Sequence, residues 1–212
     1  MVNQYRSDVA AGLSKDRAGE TVRLSGWVHS VRDHGGVVFI DLRDHTGLTQ
    51  VVCNPDDADM FSTAERCRAE FVISVSGMLR LRPEGTENTD LASGSVELVC
   101  QQLRVLNESL PLPFPIDAHT DNEVSEEVRL KYRFLDLRRA DMAHALRARS
   151  VLLNCVRSSL QSQGFLEIET PILQLASPEG AREYLVPSRM HPGSGYALQQ
   201  SPQQYKQMLM IS

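Results

Sequence analysis

Alternating apolar and polar positions run through the first half of the chain and predict a series of short β-strands. The sharpest alternation covers 37–43, where Val38, Ile40 and Leu42 share one face. The turn before this run contains His34 and two glycines, a pattern typical of a tight reversal between strands. Comparable runs predict four more strands, at 21–31, 48–53, 71–81 and 95–106.

One short helix interrupts this series, between the third and the fourth strand. Asp56 and Asp57 are suitable caps, and the residues up to about Cys67 follow a helical rather than an alternating pattern. Five strands with a helix at this point are typical of the OB-fold, a small Greek-key barrel. An SH3-like barrel is the competing interpretation, but it would not be expected to have a helix there.

The second half begins with a linker and continues with longer helical patterns. Three prolines in 107–124 and little periodicity predict a linker, and a helix is expected over 125–140. A longer helix is expected from about 141 to 163, before Gly164. Its apolar face carries Leu146, Leu153, Val156 and Leu160.

Three strands and a last helix are predicted after the long helix. The strands are expected at 165–169, 184–187 and 196–200, the last two joined through a turn at 191–193. Ser201 as N-cap and Pro202 at the first helical position predict the start of the last helix.

Composition narrows the class of protein. The formal net charge is −5, so any contact with nucleic acid must come from local basic patches. No apolar run is long enough to cross a membrane, and no secretory leader is visible. The four cysteines lie far apart without zinc-ligand spacing. We therefore expect a cytoplasmic protein with reduced thiols and no metal site.

Polar and aromatic residues on one face of the predicted barrel suggest a reader of single-stranded nucleic acid. Phe39 is out of phase with the apolar residues of its strand, as a base-stacking platform would be. Gln50 offers an amide to a base edge, and Glu97 offers an acceptor for an exocyclic amine. Candidate phosphate contacts are Arg32, Arg80 and Arg82. Each residue taken alone could equally be an ordinary half-buried or solvated side chain.

A basic segment at 129–139 leaves two interpretations open. It carries five Lys and Arg residues and one acid, Asp136. Such a run is either a solvated helix face or a surface that contacts an RNA backbone.

Several long motifs together resemble one family. These are LKYRFLDLRR at 130–139, ASPEGAREYLVPSR at 176–189 and QSPQQYKQMLM at 200–210, with GWVHSVRDHGGVVFIDLRDHTGLTQVV and RPEGTEN in the barrel. In this order they resemble the bacterial aspartyl-tRNA synthetases, class II enzymes with an N-terminal OB anticodon domain. The resemblance covers essentially the whole chain.

The resemblance implies a fold and a domain order. We expect an all-β OB-fold barrel followed by the incomplete start of an α+β class II catalytic domain, an antiparallel sheet with helices. The expected boundaries are 1–106 for the anticodon domain, 107–124 for the linker, 125–140 for a hinge helix and 141–212 for the truncated catalytic part.

The resemblance also assigns roles on the barrel. Phe39 is similar to the aromatic that stacks on the central anticodon uridine, and Gln50 to the residue that reads its edge. Glu97 matches the residue facing the third anticodon base. The surrounding anticodon contacts match Arg32, Arg80 and Arg82.

In the catalytic part, the chemistry and the family agree on Lys206. A site selective for free aspartate must neutralise its side-chain carboxylate, which a buried ammonium does, near a helix N-terminus that favours anions. The resemblance implies that Ser201, Gln203 and Lys206 bind L-aspartate and that Glu179 holds its α-ammonium. Without the resemblance, a capping serine, a surface helix and an exposed loop would be the preferred interpretations.

The family further implies a homodimer, with the interface built by 141–171 and ending in Pro171. Its chemistry uses ATP and Mg²⁺ to form aspartyl-adenylate and then charges tRNA-Asp. The arginine-bearing motifs 2 and 3, which stabilise that phosphoryl transition state, do not occur in this sequence. We therefore expect a fragment with no complete set of catalytic residues, without ATP productively bound.

Two residues bear on the choice of tRNA. His34 and Gly85 match relatives that charge both tRNA-Asp and tRNA-Asn, where stricter relatives tend to have an apolar residue and a lysine. We expect dual use of the two tRNAs.

A function from another class stays open at this point. The chain could be a stand-alone OB-fold RNA-binding module with a helical tail and no catalysis. An in-frame F-R-x-E motif downstream of codon 212 would favour the enzyme, and a stop codon would favour the module. Sister synthetases for asparagine and lysine share the architecture, but Lys206 argues against asparagine and PEGAREYLVPSR at 178–189 against both.

Overall fold

A computed structural model describes residues 3–116, 124–176 and 182–212. The chain divides into two compact units, the first extending to Pro115 and the second beginning at Ile116. Residues 117–123 lie inside the predicted linker but outside the described residues. The predicted boundaries of the domains and the linker therefore stay predictions.

The first unit is a closed five-stranded barrel. Its strands are β1 (Thr21–His34), β2 (Val37–Arg43), β3 (Leu48–Cys53), β4 (Val72–Leu81) and β5 (Val96–Asn107). Around the barrel they follow the order β1-β2-β3-β5-β4, and β1 pairs with β4 to close it. The β3–β5 pair is parallel and the others are antiparallel. The OB-fold prediction is confirmed.

Alternation along each strand puts the apolar side chains inside the barrel. In β2, Val38, Ile40 and Leu42 are buried while the residues between them are half-buried. The helix α1 (Ala58–Arg66) lies between β3 and β4 in sequence and buries Met60 and Ala64 in the same core. Its N-cap is Asp57, whose carboxylate accepts from the Met60 amide at 3.0 Å, as the sequence predicts.

The backbone of β5 leaves no room for a side chain at Gly77 of β4. A Cβ atom there would lie 1.9 Å from the carbonyl oxygen of Val99 on β5. The β4–β5 register shifts between Ser76 and Gly77, a bulge that bends the strand pair around the barrel. Glycine at this position is a steric requirement of closure.

The second unit combines helices with a small antiparallel sheet. Its helices are α2 (Glu126–Lys131), α3 (Arg133–Asp136), α4 (Ala140–Ser162) and α5 (Gln203–Met210). The strands β6 (Leu173–Gln174), β7 (Leu185–Pro187) and β8 (Gly195–Leu198) form a sheet in the order β6-β8-β7. This mixture agrees with the predicted start of an α+β domain.

The hinge segment is two short helices rather than the single helix predicted over 125–140. The break falls at Tyr132, whose φ of −111° and ψ of 45° lie outside the helical region. Its carbonyl accepts from the amides of Leu135 and Asp136, which starts α3. Leu135 and Asp136 are buried, so tertiary burial outweighs the continuous helical pattern.

Two further predictions are wrong in detail. No strand forms at 165–169; the strand on that side of β8 is β6, at 173–174, because an extended segment needs a partner for its backbone groups. The N-cap of α5 is Pro202 rather than Ser201, and the Lys206 amide donates to the Pro202 carbonyl at 2.8 Å.

Candidate nucleic-acid interface

Phe39 lies half-buried on β2, between the buried Val38 and Ile40. The strand register places Arg32 of β1 opposite Phe39, and Gln50 of β3 opposite Asp41. The alternation that turns Val38 and Ile40 into the core therefore turns Phe39 and Asp41 to the outer face.

A pocket of about 290 Å³ opens over this ring. It is lined by Arg32, His34, Phe39 and Gln50. A flat aromatic surface, a cation, an imidazole and an amide are groups that can stack on a base and hydrogen-bond its edge. Three residues predicted as anticodon contacts and one predicted for discrimination thus share one pocket.

Hydrogen bonds connect the pocket to a buried acid. The Gln50 side-chain amide donates from Nε2 to Glu97 Oε2 at 2.8 Å, and Arg80 donates from Nε to Glu97 Oε1 at 2.7 Å. Arg32 Nη2 lies 3.5 Å from Gln50 Oε1. Four predicted contacts, one on each of the strands β1, β3, β5 and β4, therefore form one connected series of side chains: Arg32, Gln50, Glu97 and Arg80.

Glu97 lies beneath this surface rather than on it. Its side chain is 3% exposed, whereas the Arg80 side chain is 47% exposed. Two of the roughly four acceptor positions of the carboxylate are taken by Gln50 and Arg80. The geometry makes Glu97 the anchor that orients Gln50, and at 3% exposure its side chain offers almost no surface for a direct contact with a base.

Asp41 belongs to the same surface, although sequence reasoning did not select it. Its carboxylate accepts from Arg32 Nη2 at 2.9 and 3.0 Å and from Ser30 Oγ at 2.6 Å. These bonds hold the Arg32 guanidinium beside the pocket. The signal in the sequence was its shared parity with Phe39 on β2.

Two other predicted residues lie outside the pocket lining. Arg82 Nε lies 3.3 Å from the Val96 carbonyl and Nη1 lies 3.3 Å from the Thr86 carbonyl, so its guanidinium braces the loop after β4. Gly85 is in that loop with a φ of +82°, and a Cβ atom at this position would meet nothing within 4 Å.

The predicted basic segment at 129–139 is partly neutralised within the chain. Arg129 Nε donates to Asp136 Oδ1 at 2.8 Å, and Arg133 also pairs with this carboxylate. The hydrogen bond from Arg129, opposed by desolvation, holds the pKa of Asp136 below its ordinary value. These two arginines stabilise the hinge, which leaves fewer free cations for RNA than the sequence suggests.

The predicted aspartate site lies on and just before α5. Ser201, Gln203 and Lys206 are all exposed, and α5 has no buried residue. The buried ammonium expected at Lys206 is thus not formed by the described residues, because nothing among them covers this helix. Glu179 lies outside the described residues.

The predicted dimer surface is exposed in the same way. α4 spans 23 residues and buries none of them, and Pro171 is exposed. Its predicted apolar face, Leu146, Leu153, Val156 and Leu160, is between 44% and 49% exposed.

The described residues form neither a helix suited to span a membrane nor a cluster of metal ligands. None of the helices they form has the length and hydropathy that a bilayer span needs. No group of three or more His, Cys, Asp or Glu side chains lies close enough together there to hold a metal ion.

The chain matches two family models, one for each half. Residues 22–106 match the family described as OB-fold nucleic acid binding domain, and residues 125–212 match tRNA synthetases class II (D, K and N). Two solved structures share the fold over nearly the whole chain. Asparaginyl-tRNA synthetase from Pyrococcus horikoshii has a TM-score of 0.83 at 23% identity, covering 100% of this chain and 46% of its own. Aspartyl tRNA synthetase from Entamoeba histolytica has a TM-score of 0.75 at 23% identity, covering 96% and 42%.

Curated relatives are similar along the whole chain. Proteins named Aspartate–tRNA(Asp/Asn) ligase from Xanthobacter autotrophicus and Bradyrhizobium diazoefficiens are 56% and 53% identical over 211 residues. Each alignment covers 100% of this chain and 33% and 35% of the relative, so the chain spans about a third of their length. By these matches the chain carries an OB-fold nucleic acid binding domain at 22–106 and a segment of the class II tRNA synthetase family (D, K and N) at 125–212.

Proposed function

We propose that the barrel reads the anticodon of tRNA-Asp, and also that of tRNA-Asn, for an enzyme that joins L-aspartate to these tRNAs. The observation that carries this is the Phe39 pocket, in which a stacking ring lies beside an amide fixed by a buried acid. The family match of both halves supports it, as does the name that the relatives carry.

Base reading at this pocket uses stacking for affinity and hydrogen bonds for choice. Phe39 stacks on the central anticodon base, worth roughly 1–3 kcal/mol. Gln50 hydrogen-bonds a base edge, and its orientation is fixed because Glu97 accepts one of its amide protons. Arg32, held by Asp41, is placed for a phosphate or a base edge.

The test is the affinity of the 212-residue chain for an anticodon stem-loop of tRNA-Asp. Phe39→Ala is expected to weaken binding by roughly 10- to 100-fold, since it removes the stacking surface. Phe39→Tyr keeps the ring and should bind within about threefold of the parent, well inside ~1 kcal/mol. Equal affinity of the parent and Phe39→Ala, with the barrel still folded by Trp27 fluorescence, would refute the anticodon assignment.

The dual use of tRNA-Asp and tRNA-Asn is supported by His34 and Gly85. His34 lines the Phe39 pocket, where it adds an imidazole to the readout surface. Gly85 has a positive φ, a conformation that is unfavourable for lysine by about 1 kcal/mol. A long cation is therefore disfavoured in this loop.

Competition between the two anticodon loops tests dual use. We expect dissociation constants for the tRNA-Asp and tRNA-Asn loops within about tenfold of each other, or roughly 1.4 kcal/mol. A preference for one loop of more than about 100-fold, or roughly 2.7 kcal/mol, would contradict dual use without affecting the anticodon assignment.

The synthetase segment supports the enzymatic part of the proposal. In the complete enzyme, ATP with Mg²⁺ would supply the adenylyl group that activates the α-carboxylate of aspartate, with pyrophosphate as the leaving group. On this chain, Lys206 would neutralise the substrate side chain, Ser201 and Gln203 would hold its polar groups, and Glu179 its ammonium. In the complete protein, Lys206→Met should abolish aspartate binding measured by calorimetry, while Lys131→Met should leave it unchanged.

We further propose that the complete protein is a homodimer in the cytoplasm. The exposed apolar face of α4, with the segment ending at Pro171, is the surface we assign to the second copy. Leu153→Asp is expected to shift the complete protein from dimer to monomer in sedimentation velocity, and Arg147→Asp would serve as an off-face control.

The alternative, a stand-alone RNA-binding module, fits the barrel equally well. The match of residues 125–212 to a synthetase family favours the enzyme, since a binding module would not require that segment. Reading the gene beyond codon 212 distinguishes them, as an in-frame F-R-x-E motif is expected only for the enzyme.

A further inference from the structure

The barrel carries a second concave surface, where the segment 3–7 lies against β1 and β4. Two cavities of about 640 and 480 Å³ adjoin here and share Arg23, Ser76 and Gln102 in their linings. Neither shares a lining residue with the Phe39 pocket. We call this surface the N-terminal groove.

The N-terminal groove is positively charged in a chain of negative net charge. Arg6, Arg23 and Arg104 line it, and no Asp or Glu does. Arg23 Nη1 donates to the Gln4 carbonyl at 3.0 Å. Because this acceptor is neutral, the positive charge of Arg23 is not balanced by it. Within the described ranges, the side chains of Arg6 and Arg104 make no hydrogen bond or ion pair. Three uncompensated cations create a local positive potential despite the overall −5.

The backbone at Tyr5, which lines the larger of the two cavities, is held in place by hydrogen bonds at the same surface. The Tyr5 carbonyl accepts from Ser25 Oγ at 2.5 Å and from Ser74 Oγ at 2.9 Å. The next turn of the segment is fixed by a reciprocal pair, in which the Ser7 amide donates to the Arg23 carbonyl and the Arg23 amide donates to Ser7 Oγ, both at 2.9 Å. The Tyr5 side chain is nevertheless 45% exposed.

Polar groups complete the lining between the cations. Ser76 Oγ donates to Gln102 Oε1 at 3.4 Å, and the Gln102 Nε2 amide donates to no other group within the described ranges. Amides and hydroxyls of this kind contact sugar hydroxyls and phosphate oxygens in nucleic-acid complexes. A protein partner would call for a more apolar centre, because the core of a protein interface is depleted of charge.

We propose that the N-terminal groove is a second RNA-contacting surface of the barrel, which binds the sugar–phosphate backbone and stacks one base on Tyr5. The proposal rests on the proposed function for the identity of the RNA. Arg23 and Arg32 are nine residues apart on β1, up to about 30 Å along an extended strand. One RNA molecule that spans several nucleotides would therefore contact both surfaces, within the footprint of roughly 4–16 nucleotides known for OB-folds.

The test compares variants of the 212-residue chain in binding to the anticodon stem-loop and to a non-cognate stem-loop across a salt series. The double variant Arg6→Ala/Arg104→Ala should weaken binding to both RNAs by a similar factor, about tenfold at low salt, because it removes two phosphate contacts. The slope of log K against log salt should decrease by about 0.7–0.9 for each phosphate contact that is removed. The preference for the cognate loop should not change, since backbone contacts carry no sequence information.

Matched controls separate this groove from general charge and from the Phe39 pocket. Arg66→Ala removes one positive charge from the exposed end of α1 and should change neither affinity nor slope by more than a small fraction. Arg6→Lys/Arg104→Lys should retain the slope. If the double alanine variant is folded by Trp27 fluorescence and behaves like Arg66→Ala, the groove proposal is overturned. Phe39→Ala, by contrast, tests only the anticodon assignment, through a loss of affinity that leaves the slope of log K against log salt unchanged.

Discussion

The two units of the chain bury their apolar residues to very different extents. The barrel encloses a continuous core of valine, leucine and isoleucine inside a sheet that closes on itself. Among the described residues of the second unit, only Ile116, Leu135, Asp136 and Ala197 are buried. Most of the exposed large apolar residues lie in the second unit, among them those on α4, on the small sheet and on α5.

Closure explains this difference. A closed sheet pairs the backbone groups of every strand and hides one face of each, so it needs no other element to be stable. A three-stranded sheet with strands of two to four residues, and a helix of 23 residues that buries nothing, cannot do so. The second unit therefore presents apolar surface that further protein is needed to cover, which agrees with the proposed homodimer.

Cysteine reactivity is the property for which we expect the largest difference between the two units. Cys53, Cys67 and Cys100 are buried in the barrel, and Cys155 is exposed on α4. Burial raises the pKa of the Cys67 thiol to about 11, so little reactive thiolate forms at pH 8. Iodoacetamide should modify Cys155 at least a thousandfold faster than the barrel cysteines, which react only after an opening that costs about 5 kcal/mol.

Mass spectrometry of tryptic peptides over a time course measures these rates. Modification of Cys67 at the rate of Cys155 would mean that the barrel is open in solution. Protection of Cys155 would mean that α4 is already covered, and its release on dilution would identify a second copy of the chain as the cover.

The sequence predicts the barrel far better than the second unit, because only the barrel is a closed sheet. Period-two alternation determines which side chains enter a closed sheet, so β2 and β3 begin and end where the pattern predicts. In the second unit, pairing depends on partners that the local pattern cannot reveal. The pattern at 165–169 favours a strand, but β8 pairs with 173–174 instead.

The candidate site follows the same rule. Phe39, Gln50 and Arg32 can be recognised from parity on adjacent strands, because register follows alternation. Sequence patterns could not reveal the burial of Glu97 or the role of Asp41 in holding Arg32, since both depend on distances between side chains of different strands.

Truncating one leucine in each unit compares how much a single side chain contributes to the free energy of unfolding. Leu79 on β4 is fully buried, whereas Leu152 on α4 is 63% exposed. Leu79→Ala should destabilise the barrel by about 2–5 kcal/mol, through lost burial and the cavity left behind. Leu152→Ala should change the free energy of unfolding by less than about 0.5 kcal/mol.

Urea denaturation followed by Trp27 fluorescence reports on the barrel, since this is the only tryptophan of the chain and lies on β1. A loss for Leu152→Ala as large as that for Leu79→Ala would show that the second unit buries this helix and that the two units do not differ as described.

Barrel closure itself is tested at Gly77. Gly77→Ala brings a Cβ into the Val99 carbonyl oxygen, so β4 and β5 must separate. We expect a loss of about 1–3 kcal/mol in the same urea titration. Gly47→Ala is the matched control because its Cβ would meet nothing within 4 Å. An equal loss in the free energy of unfolding for Gly47→Ala and Gly77→Ala would argue against a close contact between β4 and β5 at Gly77.

The smallest expected effect concerns the pH dependence of the barrel, through Asp44 at the β2–β3 turn. Its carboxylate accepts from the amides of Ala10, Thr46 and Gly47 at 2.8, 2.7 and 3.1 Å, and from Thr46 Oγ1 at 2.6 Å. Burial acts to raise the pKa of Asp44, but these hydrogen bonds outweigh it and lower the pKa below the ordinary value.

A depressed pKa means that the ionised form is stabilised in the folded state. The contribution of Asp44 is therefore fully present above the unfolded-state pKa of about 3.9 and is lost as the pH falls through the lower folded-state pKa. Asp44→Asn should cost about 1 kcal/mol at pH 7, and its deficit relative to the parent should shrink as the pH is lowered below about 4. Glu84→Gln, an exposed acid in the loop after β4, should give a curve parallel to the parent. A deficit for Asp44→Asn that is constant from pH 7 down to pH 3 would show that the turn is held by something other than this charge, and that the barrel owes none of its acid sensitivity to it.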